Sequence, residues 1–216
     1  MNYFKKVKIY YCLILFICLI GCKNKSQSVE RETVKSTIDQ VVTRLYQSLG
    51  SNELDTISQP FILSFLSSKE KEVLSKEFWT FEANVPVTVS LMRHVDQKIL
   101  PFWLAESGFV KTDLLVKNES YTYEVWQKDF NAGRVELGIN GFDKHRPVYF
   151  ISVAAQKKSD SLEIKDVYPS EYALSTFKAG AFTYHDWDSL ILTEIPDQLQ
   201  EQVLFTTVRG RAREAH

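Results

Sequence analysis

Val85-Pro86-Val87-Thr88-Val89-Ser90-Leu91 places an apolar side chain at every second position, and this period decides the fold class. Successive side chains of an extended chain point to opposite faces, so Val85, Val87, Val89 and Leu91 predict one buried face of a strand. Pro86 cannot donate to a ladder and belongs at the start of that strand or on an edge. The same period returns downstream, where Tyr121, Tyr123 and Val125 alternate with Thr122, Glu124 and Trp126. Residues 129–133 then read as a hairpin loop, and Val135, Leu137 and Ile139 share one face of a returning strand. Asn140-Gly141 is a turn pair suited to positive φ. Val148-Tyr149-Phe150-Ile151-Ser152-Val153 offers little polar alternation, as a central strand would, and 162–167 alternates again after a polar turn at 157–161. These four segments from Tyr121 onward predict an antiparallel meander. Shorter pieces follow at 189–193, at a helical turn over 197–202 and at an apolar run over 203–208.

Upstream of residue 78 the period is helical. Val34, Ile38, Val41, Val42, Leu45 and Leu49 recur in steps of mostly three and four, predicting an amphipathic helix within 29–49 that Gly50 ends. Residues 60–66 read as a short buried helical turn. Ser68 reads as the N-cap of a helix over 69–78, with Glu70 and Glu72 near the favourable end of its dipole. The fold expected is mostly β, an antiparallel β-sandwich-like domain over 79–216 preceded by a helical segment over 35–78. An α+β fold with helices packed on one sheet face is the alternative.

The N-terminus carries an address. Lys5, Lys6 and Lys8 precede an apolar run from residue 9 to 20, and the small residue Gly21 stands at a cut site, the pattern of a cleaved export signal over 1–21. The run is shorter than the about 20 residues of a membrane span. Leu19-Ile20-Gly21-Cys22 resembles the lipobox of bacterial lipoproteins, and the resemblance implies that Cys22 is lipidated and becomes the new N-terminus. Residues 22–34 would then be a lipidated tether, and the implied location is the cell envelope, with the outer membrane favoured by Lys23 and Asn24 in place of an Asp after the Cys. Cys12 and Cys18 leave with the signal and Cys22 is consumed by lipid. The mature chain therefore has no thiol for a disulfide, a cysteine metal site or a nucleophile.

Charge argues against nucleic acid as a partner. Three of the 26 basic residues and none of the 27 acidic ones precede Cys22, leaving 23 against 27 and a net charge of −4. Lys and Glu are interspersed over 69–77 as on a solvated helix face, and the one basic cluster is Arg209, Arg211 and Arg213.

Catalytic motifs are scarce. The chain has no Gly-x-Ser-x-Gly, no phosphate-binding Gly-rich loop and no His-Glu-x-x-His. Tyr184-His185-Asp186-Trp187-Asp188 is the nearest metal-like cluster, yet His185 with Asp186 or Asp188 makes two ligands where a catalytic zinc takes three. The ordinary reading of such a pair is a hydrogen-bonded turn. Asp143, His145 and Arg146 concentrate polar chemistry in a loop at one end of the sheet, a favoured place for binding, although an Asp that caps its own turn explains them too. Trp79, Trp103, Trp126 and Trp187 could stack on a sugar or simply fill the core. The binding candidates are thus Trp126, Asp143, His145 and Trp187. Arg93 and His94 have no partner identifiable from sequence.

Five further segments carry a second resemblance. They are Phe81-Glu82-Ala83-Asn84-Val85-Pro86-Val87-Thr88-Val89-Ser90-Leu91-Met92-Arg93, Pro101-Phe102-Trp103-Leu104, Tyr123-Glu124-Val125-Trp126-Gln127-Lys128, the run 138–150 containing Gly138-Ile139-Asn140-Gly141-Phe142-Asp143-Lys144-His145-Arg146-Pro147, and Thr206-Thr207-Val208-Arg209-Gly210-Arg211 with the residues after it. Together they resemble the N-terminal region of large bacterial metallophosphoesterases of the purple acid phosphatase type. The resemblance implies a further β-sandwich and then a domain whose Asp, His and Asn ligands hold two metal ions. This chain has no Gly-Asp-x-x-Asp and no Gly-Asn-His, and its sole Asp-x-His is Asp143-Lys144-His145, so no catalytic residue transfers and no cofactor is expected in the chain itself. The expectation is the leading module of a longer protein, as a truncated reading frame or a stand-alone copy. Its expected role is that of a lipid-anchored accessory module, noncatalytic by itself, whose partners are the membrane through Cys22 and a downstream or separately encoded phosphoesterase domain. An independent ligand- or glycan-binding envelope lipoprotein is the alternative, and a small hydrolase built on His185 ranks last.

Overall fold

A computed structural model describes residues 33–54, 56–142, 148–170, 172–183 and 190–207, with Ser51 and Thr207 described by backbone alone. Helix α1 (Val34–Ser48) starts at Thr33, whose hydroxyl accepts from Ser36 N while Ser36 Oγ accepts from Thr33 N. This reciprocal cap satisfies two of the donors that a helix start leaves open. Val34, Val41 and Leu45 are buried, as the three-and-four spacing requires. Helices α2 (Ser51–Leu54) and α3 (Gln59–Phe65) follow, with Pro60 in the first turn of α3, where its missing N–H is not needed. Helix α4 (Ser68–Lys76) is capped by Ser67 and not by the expected Ser68. The reason is the box Ser67–Glu70: the Glu70 carboxylate accepts from Ser67 N at 2.8 Å, and that geometry requires the Glu three residues after the cap.

Ten strands form two antiparallel sheets among the described residues. The smaller sheet sets β1 (Trp79–Ala83) between β5 (Gly133–Leu137) and β7 (Ile164–Tyr168). The larger runs in the order β8 (Tyr172–Thr176), β10 (Val203–Thr207), β6 (Phe150–Ala155), β2 (Val87–His94), β4 (Thr122–Phe130), β3 (Val110–Asn118) and β9 (Leu192–Glu194). Strand makes up 39% of the described residues and helix 23%, so the fold is mostly β and sandwich-like. Strand β2 begins directly after Pro86 and lies at the centre of the larger sheet, with the apolar β6 beside it.

The predicted meander is not formed. Strand β4 already pairs with β2 on one side and β3 on the other, which leaves no edge for β5. The chain instead crosses at Asn131-Ala132 into the smaller sheet, through Gly133 at φ 121°. It returns to the larger sheet in β6 and crosses again in β7.

The alternation of β2 divides its side chains between two cores. Val87, Val89 and Leu91 face the smaller sheet and the helices, where Phe78, Trp79, Phe81, Tyr149 and Phe205 pack with aromatic centroids 4.9–6.3 Å apart. Met92 faces the other way and joins Tyr123, Val125, Phe150 and Leu204, covered by Phe177, Leu192 and Leu199. Both faces of the central strands are therefore buried, and functional groups are left to the ends and rims of the sheets.

Candidate functional site

Asp143, His145, Arg146, His185, Asp186, Trp187 and Asp188, all singled out by sequence, lie outside the described residues, as do Cys22 and the basic cluster Arg209, Arg211 and Arg213. Trp126 is described: it stands on β4, is 8% exposed, and its indole N–H donates to Glu124 Oε1 at 2.9 Å. Trp79 and Trp103 are each 2% exposed. Among the described residues no group of three or more His, Cys, Asp or Glu could hold a metal ion.

Arg93 has a partner that its local sequence could not indicate. It sits directly across the β2–β4 ladder from Glu124, and its guanidinium donates to Glu124 Oε1, to Gln97 O and to Ile99 O. Lys111 reaches the other carboxylate oxygen at 2.5 Å. Burial alone would raise the Glu124 carboxyl, but hydrogen bonds from Lys111, Trp126 and Arg93 override it and hold its pKa below the usual carboxylate value. His94 packs edge-on against Tyr121 and Tyr123 with centroids 4.8 and 5.8 Å away.

The chain leaving β5 is pinned at three consecutive carbonyls. Gly138 O accepts from Tyr149 Oη at 2.6 Å, Ile139 O from Trp103 Nε1 at 2.7 Å, and Asn140 O from Gln97 Nε2 at 2.9 Å. Ile139 N donates to Leu74 O of α4 at 2.9 Å. Unpaired buried carbonyls are costly, so a segment outside any sheet needs such partners. Gly141 follows at φ 139°, as the Asn-Gly pair predicts.

Beside this node opens a cleft of about 490 Å³ between α4, the turn at 102–108, and the adjoining ends of β4 and β5. Ser68, Lys71, Glu72, Ser75 and Lys76 line it from α4, at the spacing of one helical face. Lys128 and Phe130 come from one face of β4, Arg134 and Glu136 from one face of β5. Phe102 and the buried Trp103 come from the turn, with the exposed Glu106.

Four cations and three carboxylates thus meet at the cleft. Lys76 pairs with Glu72 at 2.9 Å, and Arg134 with Glu136 at 2.9 Å and Glu77 at 3.4 Å. Lys71 and Lys128 have no ion-pair partner among the described residues. The Lys128 ammonium lies 4.4 Å from the Phe130 ring centroid and 5.9 Å from that of Phe109. Burial pushes its pKa below the usual lysine value.

Sequence reasoning read residues 69–77 as a solvated helix face, and part of that face lines the cleft. The step of two from Lys128 to Phe130, continuing Glu124 and Trp126, was the available signal on β4. Nothing local tied it to α4. Compared with protein-family models, curated proteins and solved structures, the chain finds no match.

Proposed function

We propose that this chain is a lipid-anchored accessory module of the bacterial cell envelope, noncatalytic by itself, that precedes and positions a metallophosphoesterase domain. Cys22 is its lipid attachment point and the outer membrane its location. Two metal ions belong to the following domain. Anchoring raises the effective concentration of a linked enzyme near its substrate, so the module acts by placement.

The observation that supports this reading is where the segments resembling that enzyme class lie. Residues 81–93 supply the central strand β2, 101–104 supply Trp103, 123–128 supply Glu124 and Trp126 on β4, and 138–140 supply the pinned carbonyls. Trp103 donates to Ile139 O, and Arg93 pairs with Glu124, so the four segments are joined in two pairs through buried hydrogen bonds. They are scaffold positions, which fits a shared leading module better than a shared active site.

The test takes the full chain extracted from membranes in mild detergent and measures phosphomonoesterase and phosphodiesterase turnover with Mn²⁺, Fe or Zn²⁺. The expected result is no turnover, with acyl label retained on the wild type and lost from Cys22→Ser. An in-frame two-metal motif set in the DNA following the codon for His216 is expected alongside. Metal-dependent turnover that His185→Ala abolishes would overturn the reading.

A second reading, an independent ligand- or glycan-binding envelope lipoprotein, is favoured by the cleft and its two lysines without ion pairs among the described residues. Trp126 contributes little to it, since its indole is buried and its N–H is taken by Glu124.

A further inference from the structure

We propose that the cleft between α4, the 102–108 turn and the ends of β4 and β5 binds a small molecule joining an oxyanion to an apolar ring or chain, with Lys71 and Lys128 as its anion anchors. The proposal goes beyond the placement reading, because it stands whether or not an enzyme domain follows.

Size comes first. About 490 Å³ falls within the roughly 300–1,000 Å³ range of small-molecule sites. The floor is rigid: Trp103 is 2% exposed and its N–H is committed to Ile139 O. Preorganised floors of this kind lower the ordering cost of binding.

Charge then selects the ligand. Lys76 is paired with Glu72 and Arg134 with Glu136 and Glu77, and the exposed Glu106 stands on the turn, so the ammonium groups of Lys71 and Lys128 are the cleft's donors without an ion pair among the described residues. Each ammonium group carries three donors, a positive charge and no acceptor, so an oxyanion suits them better than a neutral hydroxyl. Lys128 is half-buried against Phe130, and its depressed pKa reflects desolvation that a bound anion would offset. Phe102 and Phe130 supply the apolar walls that give the ligand's body its place.

A phosphate or a carboxylate would satisfy this chemistry, and the experiment separates them. The full chain in mild detergent is titrated calorimetrically with phenyl phosphate, benzoate, inorganic phosphate and phenyl glucoside. At least one aromatic anion is expected to bind about tenfold or more tighter than the neutral glucoside, the scale of one charge-assisted hydrogen bond, and about tenfold or more tighter than inorganic phosphate, the scale of burying part of a ring. Whether phenyl phosphate or benzoate is tighter identifies the oxyanion. Lys71→Met and Lys128→Met should each weaken that binding about tenfold. Lys165→Met, which removes a β7 lysine paired with Glu163 at 3.1 Å, should leave it unchanged.

A measurement on the unmutated chain guards against variants that fail to fold: the tighter aromatic anion should protect Lys71 and Lys128, but not Lys165, from acetylation read by mass spectrometry. Glucoside or inorganic phosphate binding as tightly as the aromatic anions, no binding of either anion, or unprotected Lys71 and Lys128 would each overturn the proposal.

Discussion

Replacing Gly138 by Ala adds one methyl group where the exit of β5 is closed off by Trp103 and Leu74. Its Cβ would lie 2.5 Å from Trp103 Nε1, 2.6 Å from Trp103 Cδ1 and 2.7 Å from Leu74 O. None of these atoms can retreat freely. The indole is buried and donates to Ile139 O at 2.7 Å, and Leu74 O is α4 backbone that accepts from Ile139 N at 2.9 Å. Either the indole swings away and leaves a buried carbonyl unpaired, or the exit of β5 lifts off α4. Overpacking costs about 1–3 kcal/mol and an unsatisfied buried group a further 1–3 kcal/mol. The expected loss is about 3–5 kcal/mol, which for a chain of this size lowers Tm by about 10 °C. Thermal unfolding followed by circular dichroism and tryptophan fluorescence measures it. Trp103→Phe removes the closest of the three contacts, that to Nε1, so Gly138→Ala should cost less in that background than in the wild type. A Tm within about 2 °C of the parent, less than the shift from 1 kcal/mol, would refute the reasoning. An equal loss in both backgrounds would show that the indole is not what the methyl meets.

Two further perturbations test the polar contacts. Glu70 accepts from Arg44 and caps α4 through Ser67, and the Arg44 guanidinium holds its carboxyl down at about 2, against an ordinary 4.5. A lowered folded pKa contributes stability that is present above pH 4.5 and lost as pH falls towards 2. The shift corresponds to about 3 kcal/mol, which screening at the 42% exposed Arg44 side chain reduces to about 1–2 kcal/mol. Glu70→Gln should therefore be about 1–2 kcal/mol less stable in urea at pH 7, with the gap closing between pH 4.5 and 2. A gap independent of pH would rule the ion pair out as its source. Arg93→Met leaves Glu124 with only Lys111 and Trp126 and strips donors from Gln97 O and Ile99 O. Breaking such a buried pair costs about 3–5 kcal/mol by urea unfolding, and a loss below 1 kcal/mol would mean that water or Lys111 takes its place.

Local pattern carried the fold class and little of the pairing. The alternation at Val87, Val89 and Leu91 was legible because each residue reports its own burial. The meander that alternation predicts does not form, because adjacency in sequence says nothing about whether an edge is vacant, and β4 has none. Strand β3 escaped notice since Lys111, Thr112 and Asp113 do not alternate, and its pairing with β4 shifts between Lys111 and Leu115. Arg93 lacked a visible partner because Glu124 is 31 residues away and becomes its neighbour only through the β2–β4 register. The cleft was illegible for the same reason. Its lysines come from a helix and a strand whose proximity depends on Ile139 docking against Leu74.

A likeness concentrated in catalytic ligands transfers chemistry, whereas one concentrated in buried hydrogen bonds transfers shape. In this chain Arg93, Trp103, Glu124 and the carbonyls of Gly138, Ile139 and Asn140 are engaged with one another or with neighbouring buried groups. Their donors and acceptors are held in place by folding, which makes them poor candidates for reacting groups. Both faces of the central strands are covered, and at the rim Lys71 and Lys128 retain ammonium groups without ion pairs among the described residues. Scaffold and cleft therefore answer to separate tests: a variant of the node should alter stability first, and a variant of the two lysines should alter ligand affinity with stability little changed.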